Sequence, residues 1–289
     1  MLQRWNNSVA GICLMILAVL LLSCMSLLAK FIGPDYHPLQ VTFMRNLVAG
    51  AVILPFVFKF GGKSALRTQR PMSHFLRALA GVVGNACYFF AYQHLPLADV
   101  MVLSQSVPLC VTIFAIPFLK EQVGWRRLSA VFIGFIGVIV ALDPSGQVSP
   151  VSLIALLGPV LWSVTILMVR DLGRTENPYT IAFFYMLIGT LLSGFMQPFV
   201  WLAPSVDIMF LFFLLGVAGA FGQMLMTYAL KVAEASVVSP FNYTAIIWGL
   251  FFDFFFWGLI PAWTTLLGAI IICSSGFYIF RRELLGKNK

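Results

Sequence analysis

Charged residues make up only 10% of this 289-residue chain, against 61% apolar residues and a mean hydropathy of +0.96. A soluble domain carries about 25% charged and 45–50% apolar residues, so a water-soluble enzyme and a disordered chain are both excluded. Ten membrane helices of about 20 residues take roughly 200 residues and leave about eight for each of nine loops and two ends. That leaves no room for an extramembrane domain. Chemical motifs are missing as well. There is no Gly-x-x-x-x-Gly-Lys-Ser/Thr loop, no His-Glu-x-x-His and no Gly-x-Ser-x-Gly. The three histidines, His37, His74 and His94, sit at helix borders without neighbours at metal-ligand spacing. No enzyme, cofactor or metal is expected. The five cysteines (Cys13, Cys24, Cys87, Cys110, Cys273) lie in apolar runs without paired spacing and read as reduced, packed thiols.

What is present is a succession of apolar runs, at about 11–32, 38–59, 72–93, 98–118, 125–142, 151–170, 178–200, 208–230, 235–257 and 263–280. Turn and charge signals separate them, among them Gly33-Pro34-Asp35, Gly61-Gly62-Lys63, Asp143-Pro144-Ser145-Gly146 and Ile260-Pro261. Leu21-Leu22-Ser23-Cys24 resembles a lipoprotein cleavage box. The apolar run continues past it to Ala29, so the segment is read as the first membrane helix.

The net charge of +8 points to orientation rather than to nucleic acid. With the N-terminus cytoplasmic, every Lys and Arg except Lys30, Arg45 and Arg77 falls on the inner side, while Asp35, Asp99, Asp143 and Asp207 fall outside. Both ends are then cytoplasmic.

The chain also repeats. A slide of 140 residues superposes Ser23, Lys30, Gly33, Pro38 and Phe43 on Ser163, Arg170, Gly173, Pro178 and Phe183, and a slide of 136 or 137 brings Ala91-Tyr92 onto Thr227-Tyr228-Ala229. Each half, 1–145 and 146–289, holds five helices. An odd number makes the two halves inverted repeats, a transporter signature. The expected fold is all-α, with ten transmembrane helices.

Polar groups inside the membrane carry the functional information, because a charge there costs about 2.5–3.5 kcal/mol even on insertion scales. Asp253, among phenylalanines in the ninth run, is either a coupling or counter-ion site or a structural partner for Arg45 or Lys30. Arg45 interrupts the second run and suits substrate binding, pairing with an Asp, or packing. Arg77 suits an interfacial anchor. The third run presents Gly81, Asn85, Tyr88 and Tyr92 at helical spacing. The fourth adds Gln105, the eighth Gln223 beside Gly216, Gly219 and Gly222, and the ninth Asn242, Tyr243 and Trp248. Pro108 and Pro240 are candidate kinks lining a cavity.

These features resemble the drug/metabolite transporter superfamily, specifically its EamA-type members. The resemblance rests on Phe43-Met44-Arg45, Leu76-Arg77, Ala91-Tyr92 through Pro96-Leu97-Ala98, Pro108, Leu119-Lys120-Glu121 and Gly134-Phe135-Ile136-Gly137-Val138. Ala235 through Tyr243 and Gly268-Ala269 extend it over nearly the whole chain. Arg70-Pro71, Leu76-Arg77 and Pro240-Phe241-Asn242-Tyr243 are similar to the branch of bacterial S-adenosylmethionine uptake transporters. Related branches carry riboflavin or amino-acid metabolites. The family often has an acid after the ninth helix to match Glu121 after the fourth; Phe256 through Pro261 has none, and Asp253 stands nearby.

The resemblance implies an inner-membrane carrier of a small metabolite, a monomer or homodimer in the bilayer with no nucleic-acid partner, working by alternating access. Arg45, Asn85, Tyr88, Tyr92, Gln105, Gln223, Asn242, Tyr243 and Trp248 are the candidate substrate contacts, with Asp253 and Glu121 as coupling or counter-ion groups. A channel, or a scaffold that moves nothing, is the alternative.

Overall fold

The computed structural model describes residues 2–119, 123–142, 149–233 and 235–287, with side chains for all of these except 2–8, 63, 64, 119, 235, 236 and 282–287. The secondary structure of the described residues is all helical, without strands. In chain order the α-helices are α1 Leu2–Ile32, α2 Pro38–Phe56, α3 Pro71–His94, α4 Leu97–Ser104, α5 Val107–Leu119, α6 Trp125–Ala141, α7 Pro150–Leu172, α8 Pro178–Phe195, α9 Gln197–Val200, α10 Val206–Val232, α11 Ala235–Val238, α12 Thr244–Trp257 and α13 Trp263–Lys287. Eight helices among the described residues are long and apolar enough to cross a membrane. α6, with 17 residues, and α12, with 14, stand where the fifth and ninth runs were expected and fall short of that length.

Local chemistry sets the helix starts. Pro38, Pro150 and Pro178 each open a helix at a position where no backbone N–H is needed. The preceding His37, Ser149 and Asn177 accept an N–H of the first turn. α12 ends at Gly258, whose φ of +62° is left-handed, and Leu259 N–H closes back on the Asp253 carbonyl. Two of the apolar runs are broken. α4 gives way to α5 through a turn at Gln105-Ser106, just before Pro108, and α11 gives way to α12 through a 3₁₀ segment Ser239–Tyr243 containing Pro240.

Packing between helices comes in matched sets. α1 lies along α10 and α3 along α7; α2 packs on α10 and α3 on α8; α2 meets α8, α4 meets α12 and α6 meets α13. Exchanging α1–α6 with α7–α13 turns this set into itself. Not every contact is matched: α3 also packs against α1 and α2, whereas α10 has no comparable packing against α7 or α8.

Small residues permit the closest approaches. A Cβ on Gly137 or Gly268 would strike the facing helix of the α6–α13 pair, and one on Gly222 would strike Leu22 of α1. Large apolar side chains, including Phe132, Phe195, Phe199, Phe254 and Phe255, face outward. The polar groups Arg45, Asn46, Arg77, Asn85 and Asp253 are buried. This inversion suits a lipid solvent.

Candidate functional site

The polar face expected on the third run exists and is longer than expected. His74, Arg77, Gly81, Asn85, Tyr88 and Tyr92 follow one another at three- and four-residue steps down α3. Tyr185 of α8 lies against its middle. The Asn85 amide donates to the Tyr185 oxygen at 3.3 Å, the Arg77 guanidinium lies 4.3 Å from the Tyr185 ring centre, and Gly81 leaves space for the phenol. Arg77 Nη1 also donates to the Ile181 carbonyl at 2.9 Å. Arg77 therefore stands in a buried seam between α3 and α8. Farther along, the Tyr88 and Tyr92 rings stack with centroids 6.1 Å apart. The Tyr88 hydroxyl is buried without a partner.

A second seam joins α2 to α10. Arg45 lies over Gly219 beside Met25 of α1, and its Nη1 donates to Asn46 Oδ1 at 3.0 Å. Its Nε has no partner. Gly216 and Gly222, the flanking members of the glycine run, pack against Val48 and Leu22.

Asp253 has a defined pair of partners. Its Oδ1 accepts from Lys30 Nζ at 3.1 Å and its Oδ2 from the Ala98 backbone N–H at 2.8 Å. Lys30 also donates to the Leu95 carbonyl and lies 4.4 Å from the Trp257 ring centre. Gln93 donates to the carbonyls of Gly33 and Tyr36 close by. Of the partners weighed for Asp253, the structure supplies Lys30 and not Arg45. The ends of α1, α3, α4 and α12 are thereby tied together at one end of the bundle.

The remaining candidates are spread out. Gln105 caps α4 at the first break. Trp248 lies in α12 against the core that also holds Tyr88, and its indole N–H is buried without a partner. Gln223 lies on α10 one turn beyond Gly219. Asn242 is half-buried in the second break, and Tyr243 turns its hydroxyl toward Gly276 of α13. Glu121 lies outside the described residues.

At the opposite, basic end, Arg70 pairs with Asp171 at 2.5 Å. Glu176 accepts from the Thr68 hydroxyl and the Gln69 N–H and stands 3.8 Å from His74. Burial raises the Glu176 carboxyl, but these hydrogen bonds and His74 outweigh it and hold the group below its ordinary value. Among the described residues no cluster of His, Cys, Asp and Glu is fit to hold a metal ion. An apolar crevice of about 350 Å³ between α1 and α10, lined by Leu21, Leu28, Leu214 and Phe221 among others, offers nothing polar to select a metabolite.

The profile of the EamA-like transporter family matches twice, over residues 9–142 and 149–281. The chain belongs to the EamA-like transporter family. It is a multi-pass membrane transport protein. The S-adenosylmethionine uptake transporter of Rickettsia prowazekii is 27% identical over 274 residues, covering 94% of this chain and 93% of that protein. The riboflavin transporter of Rhizobium johnstonii is 26% identical over 288 residues, covering 98% and 95%. The pseudopaline exporter of Pseudomonas aeruginosa is 24% identical over 269 residues, covering 91% and 93%. A solved crystal structure, 19% identical, superposes with a TM-score of 0.64 over 96% of this chain and 99% of that one, so the two chains share a fold.

Sequence reasoning missed Tyr185 and Gln93. Tyr185 was within reach, since the slide of 140 residues that pairs Phe43 with Phe183 also pairs Arg45 with Tyr185.

Proposed function

We propose that the chain carries a small organic metabolite, in the first instance S-adenosylmethionine or a close analogue, across a bacterial inner membrane by alternating access. The observation that carries this reading is the pair of broken spans. The turn at Gln105-Ser106 and the 3₁₀ segment Ser239–Tyr243 occupy corresponding places in the two halves. Interrupted helices in corresponding places mark the binding site of inverted-repeat transporters. Tyr88 and Trp248 contribute unpartnered buried donors to the same core. In this reading the fold has ten spans in two inverted halves, 1–145 and 146–289, with both ends cytoplasmic. The double family match and the exchange symmetry of the packing support it. Arg45, Asn85, Tyr88, Tyr92, Gln105, Gln223, Asn242, Tyr243 and Trp248 would contact substrate as it passes, and Asp253 and Glu121 would act as gate or coupling charges.

The relatives include importers and an exporter, so direction is set by the experiment. Purified protein in proteoliposomes is assayed for uptake of labelled S-adenosylmethionine, with and without unlabelled compound inside. Saturable uptake accelerated by internal compound is expected. Non-saturating flux would make it a channel. No flux from folded protein for S-adenosylmethionine, riboflavin or amino-acid metabolites would sink the carrier reading.

A further inference from the structure

Two side chains occupy matched positions on the seams between the halves. Arg45 of α2 crosses α10 at Gly219, where a Cβ would come within 3.3 Å of Nε. Tyr185 of α8 crosses α3 at Gly81, where a Cβ would come within 2.7 Å of the phenol oxygen. The absence of a side chain at each crossing lets a polar head group pass. The two head groups differ in how they are satisfied. Tyr185 is held by Asn85 and Arg77, and because its oxygen accepts from Asn85 its own proton remains free to be donated. Arg45 is only 4% exposed, yet among the described residues no carboxylate pairs with it. Its Nη1 donates to the neutral Asn46, and Nε is left bare. A buried cation without a counter-charge is strongly unfavourable, and a guanidinium fork is shaped for two parallel hydrogen bonds to a carboxylate or phosphate.

We propose that Arg45 is the anion subsite of the transport pocket, taking a carboxylate or phosphate group of the substrate, while Tyr185 on the opposite seam donates to its other end. The proposal rests on the carrier reading above and narrows its substrate to anion-bearing metabolites held in one orientation.

Matched ligand pairs test it in detergent-solubilised full-length protein. One pair is S-adenosylmethionine with its decarboxylated form, and the other is flavin mononucleotide with riboflavin. Each pair differs by one anionic group, and the two distinguish carboxylate from phosphate. The charged member of at least one pair is expected to bind about 10- to 100-fold more tightly, the range of a charge-assisted hydrogen bond. Arg45→Gln should erase that preference, and Arg45→Lys should keep part of it. Equal binding within both pairs, or a preference that survives Arg45→Gln, would overturn the subsite. Binding of riboflavin alone would also overturn it while leaving the carrier reading intact. If none of the four binds folded protein, subsite and substrate reading fail together. Should Arg45→Gln not fold, the wild-type pairs and Arg45→Lys decide the matter.

Discussion

Buried polar groups in the bundle differ in whether they have a partner. Asn85 donates to Tyr185, and Asp253 accepts from Lys30 and Ala98, whereas the Tyr88 hydroxyl is buried without a hydrogen-bond partner. An unsatisfied buried hydroxyl costs about 1–3 kcal/mol, so Tyr88→Phe should leave thermal stability unchanged or raise it. If substrate accepts or donates at that oxygen, the same change should weaken substrate affinity by up to about tenfold. A fall in melting temperature with affinity intact would make Tyr88 a structural residue. Lys30 and Asp253 predict the reverse. Each is buried beside the other, with side-chain exposures of 12% and 3%. Removing one partner of such a pair typically costs about 3–5 kcal/mol, because the other charge is stranded. Lys30→Met or Asp253→Asn should each destabilise the protein, and Lys30→Met/Asp253→Asn together should recover part of the loss. Purely additive losses in a double-mutant cycle of melting temperatures would show that the pair is not coupled.

At the scale of elements, periodicity and punctuation made most of the helices legible. Pro38, Pro150 and Pro178 open helices where a proline after a turn should, and Pro108 and Pro240 lie at the two breaks. The fifth and ninth runs end within one residue of α6 and α12, and what hydropathy cannot register is the 3₁₀ segment that shortens α12. The contacts of the site were legible only where they follow helical spacing, as down α3. Tyr185 and Lys30 reach their partners across 100 and 223 residues of sequence, a distance no local pattern reports. The same holds for the clasp at the basic end, where the segment before α8 supplies Glu176 to the segment before α3. Glu176 is held below its ordinary value of 4.5, so the folded state favours its ionised form. The stability it contributes is present above the unfolded value and disappears as pH falls through the folded one. Melting temperature measured from pH 6 to pH 3 should therefore drop in the wild type, with a shallower slope in Glu176→Gln. Equal slopes would mean that the clasp carries no ionic contribution.

For the whole molecule, the unmatched part of the packing gives the exchange symmetry its functional meaning. The end where Lys30, Asp253 and Ala98 meet is closed by α1, α3, α4 and α12. The symmetry-related approach, between α7 and α10 at the basic end, lacks comparable packing. A carrier whose halves exchange roles must own a second arrangement in which these two ends trade places. Arg170 occupies the position that the repeat assigns to Lys30, and Glu121 follows the fourth run as Asp253 closes the ninth. Probes at Asp35 and His94 would report the tied end, and probes at Thr175 and Lys231 the basic end, all four residues being exposed. Asp253→Asn unties the first end, and each 1.4 kcal/mol lost there shifts the population about tenfold toward the other arrangement. The distance between the first pair should lengthen and that between the second should shorten in the same molecules, as read by double electron–electron resonance in liposomes. Under the proposed alternating access, opposite changes are required, because both ends are never open together. If both distances lengthen, the mutation has only loosened the bundle, and if neither moves, the Lys30–Asp253 pair is not a gate.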